Sequence, residues 1–338
     1  MRTAAGSVRP RTSWRNGCVR LLNALFIVAT VTYDGQAQTN KVHRVVIVPF
    51  PTAEGQAYVP TFRAAMRELG FVEGENLMLD VRLVDRDMAG VPGVLDDVIR
   101  HKPDVFVGWE SVAQVMRSKT TSIPIVLAGA VDPVGAGLAH SLRQPGTNVT
   151  GVVQLNDVLP AKHIEIIREI RPSLARVGQL VDTTASGCKL VEQQSRQAAA
   201  NVGAVMVPYY VTNRLDIERA FAEMAKEKPD VLLPCPSAMM FNHRDLLFES
   251  VLRLRIPLTS FVPANVPVGV LFAYATSLHD TYRRAALYVS KILRGATAAT
   301  LPIEQPTTFT MVINLRTARA LNLTIPPALL LRADQVIE

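Results

Sequence analysis

Cysteine is scarce: the 338 residues contain three, and none lies in a C-x-x-C pair or at Cys/His spacing, so nothing in the pattern builds a zinc or dithiol centre. The six histidines, at 43, 101, 140, 163, 243 and 279, are scattered without metal-ligand spacing. Missing too are a Gly-x-Gly-x-x-Gly turn after the first strand, a Gly-x-x-x-x-Gly-Lys-Ser/Thr loop and a Gly-x-Ser-x-Gly elbow. Nucleotide binding and serine hydrolysis thereby lose their usual sequence support, and no cofactor is expected. No low-complexity tract or short-period repeat is present, and 49% hydrophobic with 19% charged residues describes a globular chain.

A basic excess is also absent once the first 37 residues are set aside. The formal charge of +7 includes Arg2, Arg9, Arg11, Arg15 and Arg20, opposed there only by Asp34, and the remainder carries 31 basic and 28 acidic residues. So balanced a surface gives little electrostatic reason to bind nucleic acid. The leading arginines precede an apolar run from Leu21 to Val31, and Gly35-Gln36-Ala37 offers small residues before a cut at Gln38. This is the layout of a secretory signal peptide over 1–37, and the run is too short for the roughly 20 residues that span a bilayer. A periplasmic location is expected. Cys18 lies on the basic side of the run, not where a lipid-modified cysteine would stand. Cys188 and Cys235 could form one bridge in an oxidising compartment, but sequence does not show them close, and two unpaired, mostly buried thiols are the favoured expectation.

What is present is an alternation of strand and helix patterns. Strands are predicted over Arg44 to Phe50, Leu77 to Leu83, Val105 to Trp109 and Ile125 to Val131, with amphipathic helices between them and a short helix over Gly135 to Leu142. The segment Pro145 to Gly151, with glycine near each end of a Thr/Asn stretch, reads as a crossing between lobes. The alternation then restarts, with strands at Arg176, Val205, Val231, Pro257 and Val270, a long helix from His279 to Leu293, and a last strand and helix after the irregular segment from Leu301 to Pro306. The expected fold is α/β, two doubly wound parallel-sheet lobes joined by three crossings. Lobe one takes 43–151 plus about 276–304, and lobe two 152–275 plus about 305–338.

Open α/β sheets bind ligands beyond the carboxyl ends of their strands. Those ends carry Thr52, Trp109, Ser111, Asp132, Thr183, Ser237 and Tyr274, the candidate ligand-binding residues. Small hydroxyls at helix starts suit a carboxylate, Asp132 suits an ammonium, and Trp109 or Tyr274 suits an apolar side chain. Each residue also has a plain structural role open to it: Ser111 and Thr183 as helix caps, Trp109 as core. Asn148-Val149-Thr150 matches a glycosylation acceptor.

Several longer stretches carry a resemblance. Pro124 to Val134 with Gly137-Leu138, the Pro145 to Gly151 segment, Tyr282-Arg283-Arg284-Ala285-Ala286, Lys291 to Gly295, Leu301 to Pro306, Val312 to Leu315, Leu323 to Pro327 and the ending Arg332 to Glu338 are similar to the ABC transporter substrate-binding proteins with a type I periplasmic-binding fold. That family includes tryptophan- and other aromatic amino acid-binding members, and the likeness spans about residues 43 to 338. It implies a monomer that captures a small solute between two lobes and delivers it to a membrane permease driven by a separate ATPase. It also implies hinges near Gly151, Tyr274 and Pro306. Phe272-Ala273-Tyr274-Ala275 and Trp109-Glu110-Ser111 depart from the family's usual sequence where a ligand would touch. Two other classes share such a fold: a ligand-sensing module acting on a membrane partner, and a hydrolase using Ser111 or Ser237.

Overall fold

The first strands are runs of β-branched residues buried on both faces, a pattern that calls for a parallel sheet covered twice. The structure, a computed structural model, describes residues 41–49, 56–84, 90–154 and 159–338; the leader over 1–37 and Thr52 lie outside the described residues. Strands β1 (His43–Val48), β2 (Leu77–Val81), β3 (Val105–Gly108), β4 (Ile125–Ala128) and β5 (Val149–Val152) form one sheet in the order β2-β1-β3-β4-β5, parallel throughout. Alternation along β1 assigns the faces: Val45 and Ile47 pack with Phe62 and Met66 of α1 (Val59–Glu68). Val46 and Val48 pack on the other face with Leu95 of α2 (Val91–Arg100) and Met116 of α3 (Glu110–Lys119).

The second array opens with α4 (Leu159–Ile170), β6 (Arg176–Asp182), α5 (Ser186–Asn201), β7 (Val205–Val211), α6 (Arg214–Lys226) and β8 (Val231–Leu232). Then come α7 (Ala238–Asn242), α8 (Arg244–Leu254), β9 (Thr259–Ser260) and β10 (Phe272–Thr276). Strands β7-β6-β8 are parallel, and a bridge between Leu232 and Leu258 leads on to β9 and β10. One continuous apolar core, from Leu159 to Leu329, underlies this array.

After β10 the chain goes back to the first sheet. Helix α9 (Leu278–Leu293) buries Ala285, Ala286, Tyr288 and Val289 in the cluster that holds Phe62 and Val107. Glu304 then bridges to Val152 beside β5, and the Thr150 hydroxyl donates to the Leu301 carbonyl at 2.7 Å. The chain returns as β11 (Phe309–Asn314), followed by α10 (Leu315–Ala320), α11 (Pro327–Leu330) and β12 (Gln335–Ile337). β10 leaves the second array and β11 re-enters it, so the two run antiparallel, the one such pair among the described strands. Residues Asn40–Glu338 form one compact unit.

Three local expectations are corrected. Gly135 to Leu142 forms turns rather than a helix: Gly137 sits at φ +71, and the Asp132 carboxylate takes the Gly135 N–H at 2.8 Å. Helix α3 starts at Glu110, so Trp109 occupies the cap position and Ser111 lies inside the first turn. Cys188 and Cys235 are not free thiols but a disulfide, with Cα atoms 5.4 Å apart. Pairing β8 beside β6 brings Cys235, three residues past β8, against the first turn of α5, a neighbourhood that 47 residues of sequence separation conceal. Among the described residues, no helix is long and apolar enough to cross a membrane.

Candidate functional site

The carboxyl ends of both sheets meet at a cavity of ≈ 330 Å³, within the ordinary range for a small-molecule site. From the first sheet it is lined by Trp109, Glu110 and Ser111 after β3, by Ala128 to Val131 at the end of β4, and by Gln154 after β5. From the second come Asp182 at the end of β6, Thr184, Ser186 at the start of α5, Pro234 to Phe241 after β8, Arg244 at the start of α8, and Ser260 to Asn265 from the end of β9 onward.

Of the residues that the sequence proposes, the structure brings Trp109, Ser111 and Ser237 to this lining. Ser237 also caps α7, its Oγ accepting the Met240 N–H at 3.3 Å. Asp132, Thr183 and Tyr274 stand outside the lining. The Asp132 carboxylate is taken up by its own turn, and Thr183 is exposed with its N–H donated to the Val211 carbonyl. Tyr274 stacks on Phe309 at 5.6 Å between ring centroids, and its carbonyl accepts a 2.7 Å bond from His163 Nε2. Gly151 lies within β5 opposite Leu127, and Pro306 falls between the Glu304 bridge and β11. The Asn148 side-chain amide is engaged with the Thr120 and Ile123 carbonyls.

Three charged residues that sequence reasoning left unassigned line the cavity. Glu110 opens α3, where its Oε2 accepts the N–H groups of Val131 at 2.7 Å and Asp132 at 2.8 Å. Burial raises its pKa, the two backbone donors oppose that, and the Asp132 carboxylate raises it further. Among the described residues it makes no ion pair with a cation. Asp182, 2% exposed, has one carboxylate oxygen taken by the Thr184 N–H and hydroxyl. Among the described residues Arg244 is the one Lys or Arg in the lining; it lies 5.0 Å from the Phe241 ring, and its ion pair is with the highly exposed Asp245 at 3.8 Å. The usable sequence signal for Glu110 was its place directly after a buried strand; Arg244, a helix-start residue, offered none.

Chemically, the Glu110 and Asp182 carboxylates and the Arg244 guanidinium, all in the lining, suit a zwitterion, and Trp109, Phe241, Phe248 and Phe261 supply apolar wall. Among the described residues no group of three or more His, Cys, Asp and Glu is placed to hold a metal ion.

The chain is similar in sequence and fold to several known proteins. A tyrosine-binding protein of Clostridioides difficile (strain R20291) is 22% identical over 264 residues, 78% of this chain and 75% of that protein. Among solved structures, a conserved domain protein of Vibrio cholerae aligns with TM-score 0.79 at 26% identity, covering 88% of this chain and 100% of the other. The ABC domain from Streptococcus pneumonia in complex with L-Trp aligns with TM-score 0.79 at 24% identity, over 87% and 99%. A ligand-free, open substrate binding protein with adhesive properties from Clostridium difficile aligns with TM-score 0.68 at 22% identity, over 88% and 99%. The family described as ABC transporter substrate binding protein matches residues 45–337. With that match across most of its length and a two-lobed α/β fold, the chain belongs to the ABC transporter substrate binding protein family.

Proposed function

We propose that this protein is the extracytoplasmic solute receptor of an ABC uptake transporter, and that its solute is an α-amino acid with an apolar or aromatic side chain. The observation that carries this reading is the cavity lining itself: Glu110, unpaired with any described cation, and Arg244, whose ion pair at 3.8 Å is with the highly exposed Asp245, line a space walled by aromatic rings. Glu110 and Asp182 hold the ammonium, Arg244 the carboxylate, and Trp109 with Phe241 the side chain. Ser111 and Ser237 add hydroxyl contacts. The L-Trp-bound and tyrosine-binding relatives support the same ligand class.

In this reading the solute draws the two lobes together about the three connections, after Val152, at Thr276 to Leu278 and before Phe309, by stabilising a closed arrangement already accessible to the free protein. The closed form then docks on a permease powered by a separate ATPase. Calorimetric titration with the twenty amino acids is the direct test. Glu110→Gln keeps an oxygen acceptor for the two backbone donors and removes the charge, so it should weaken binding of the best amino acid by about ten- to a hundred-fold, as for a charge-assisted hydrogen bond. Equal affinity for that amino acid and its deaminated analogue would overturn the assignment of Glu110.

A further inference from the structure

Two stretches of the second array's cavity wall lie outside regular structure or only at its edge. The first runs from Thr184 to Gly187 into the opening turn of α5, whose cap residue Ala185 makes no side-chain cap bond. The second runs from Pro234 to Ser237, after a β8 of 2 residues and before the 5-residue α7. The Cys188–Cys235 disulfide ties one to the other: Cys188 directly follows the lining residue Gly187, and Cys235 itself lines the cavity.

The same turn reaches across to the first sheet. A methyl group at Gly187 would stand 2.4 Å from Val131 Cγ1, so α5 begins in close approach to the loop after β4. The N–H groups of Val131 and Asp132 in that loop hold the Glu110 carboxylate. A path of direct contacts and covalent bonds therefore runs from the disulfide through Gly187 and Val131 to Glu110. Both sulfur-bearing residues are sealed, Cys188 at 0% and Cys235 at 1% exposed, so a reductant reaches the bond only when the cavity wall opens.

We infer that the Cys188–Cys235 disulfide is a positioning element of the solute site, and that its reduction lowers solute affinity while the protein stays folded. The inference rests on the solute-binding reading above. In the reduction a dithiol attacks the bond, passes through a mixed disulfide and leaves as its own cyclic disulfide; Cys188 and Cys235 receive the two electrons and two protons and become thiols. Linkage then requires reciprocity: the factor by which reduction weakens solute binding is the factor by which bound solute shifts the disulfide–dithiol equilibrium toward the disulfide.

The experiment uses the mature full-length protein, with L-tryptophan and L-tyrosine as probes. Affinity is measured for the oxidised protein, for protein reduced by dithiothreitol and for the Cys188→Ala/Cys235→Ala variant, with circular dichroism recorded on each. A parallel titration in oxidised and reduced dithiothreitol, with and without probe, reads the disulfide equilibrium. The expected result is native circular dichroism in the reduced form, affinity weaker by about ten-fold, within the usual range of coupled sites, and a probe-dependent shift of equal size. Recovery of affinity on reoxidation completes it. Unchanged affinity in the folded reduced protein, or an equilibrium that the probe does not move, would overturn the inference and leave solute binding standing. If the oxidised protein binds no amino acid, the functional reading fails and this inference falls with it. Should the variant fail to fold, the titration of the unmodified protein decides alone, and reduction that unfolds the protein counts against the inference.

Discussion

His163 supplies the most quantitative prediction. It sits on α4 at 1% exposure, its Nε2 donating to the Tyr274 carbonyl at 2.7 Å on β10. Its ring centroid lies 4.4 Å from that of Phe261 and 5.4 Å from that of Phe272. Among the described residues its buried Nδ1 has no hydrogen-bond partner, so a second proton would place a charge in an apolar cage. Burial accordingly pushes the imidazole from 6.5 down to about 4, with the Tyr274 carbonyl bond acting against the shift.

The sign follows from proton counting. Below 6.5 the unfolded chain takes up a proton that the native protein refuses until about 4, so stability is complete above 6.5 and drains away as pH falls through that window. At ~1.4 kcal/mol per pH unit the loss reaches about 3 kcal/mol, most of it by pH 4.5. Glu110 works in the opposite direction: its raised pKa makes the native state the better proton acceptor, which adds stability as pH falls through its native value. Urea unfolding of the protein and of His163→Gln between pH 7.5 and 4.5 separates the two, because Glu110 contributes equally to both chains. The variant should begin about 1 kcal/mol less stable, for the impaired hydrogen bond, and end the more stable of the two near pH 4.5. Parallel stability curves would refute the buried neutral imidazole.

Two further outcomes follow. Gly151→Ala should lose more than ~2 kcal/mol in thermal or denaturant unfolding, because φ is +131 and the added methyl would sit 2.4 Å from the Leu127 nitrogen. Small-angle scattering should record compaction when the best amino acid is added; tight binding at unchanged dimensions would exclude hinge closure.

The fold was legible because its signals are local. β-Branched runs such as His43–Val48 and amphipathic segments such as Leu278–Leu293 declare themselves in ten or fifteen residues, and their alternation dictates a doubly wound sheet. The edge of the cavity was legible for the same reason, since Trp109, Ser111 and Ser237 stand where strands give way to helices. What sequence left hidden is decided by contacts distant in the chain. Asp132 has the chemistry of an ammonium acceptor, yet its carboxylate goes to Gly135 three residues on, and Glu110 reaches into the site from 22 residues earlier. Competition of this kind between a local turn and a ligand is settled by geometry that composition does not encode. The disulfide is the clearest case, because only the placement of β8 beside β6 makes its two residues neighbours.

Gly151 illustrates how one residue type carries two messages. A glycine at the end of Pro145 to Gly151 suggests a joint that absorbs backbone rotation, and its φ of +131 is a conformation that side-chain-bearing residues rarely adopt. The pairing of β5 argues for another cause. Gly151 is matched to Leu127 in the sheet, its carbonyl accepts the Glu304 N–H at 2.9 Å, and the Leu127 backbone fills the space where a Cβ would be. A residue held from both sides is a poor pivot, and glycine is required there by close approach. In the closure proposed above, motion would be taken up beyond Val152, where the chain leaves the sheet, and at the paired exits of β10 and β11. His163 clasps the Tyr274 carbonyl at the second of these places. Substitution at His163 should therefore change the energetics of closure as well as those of folding, whereas substitution at Gly151 should change folding alone.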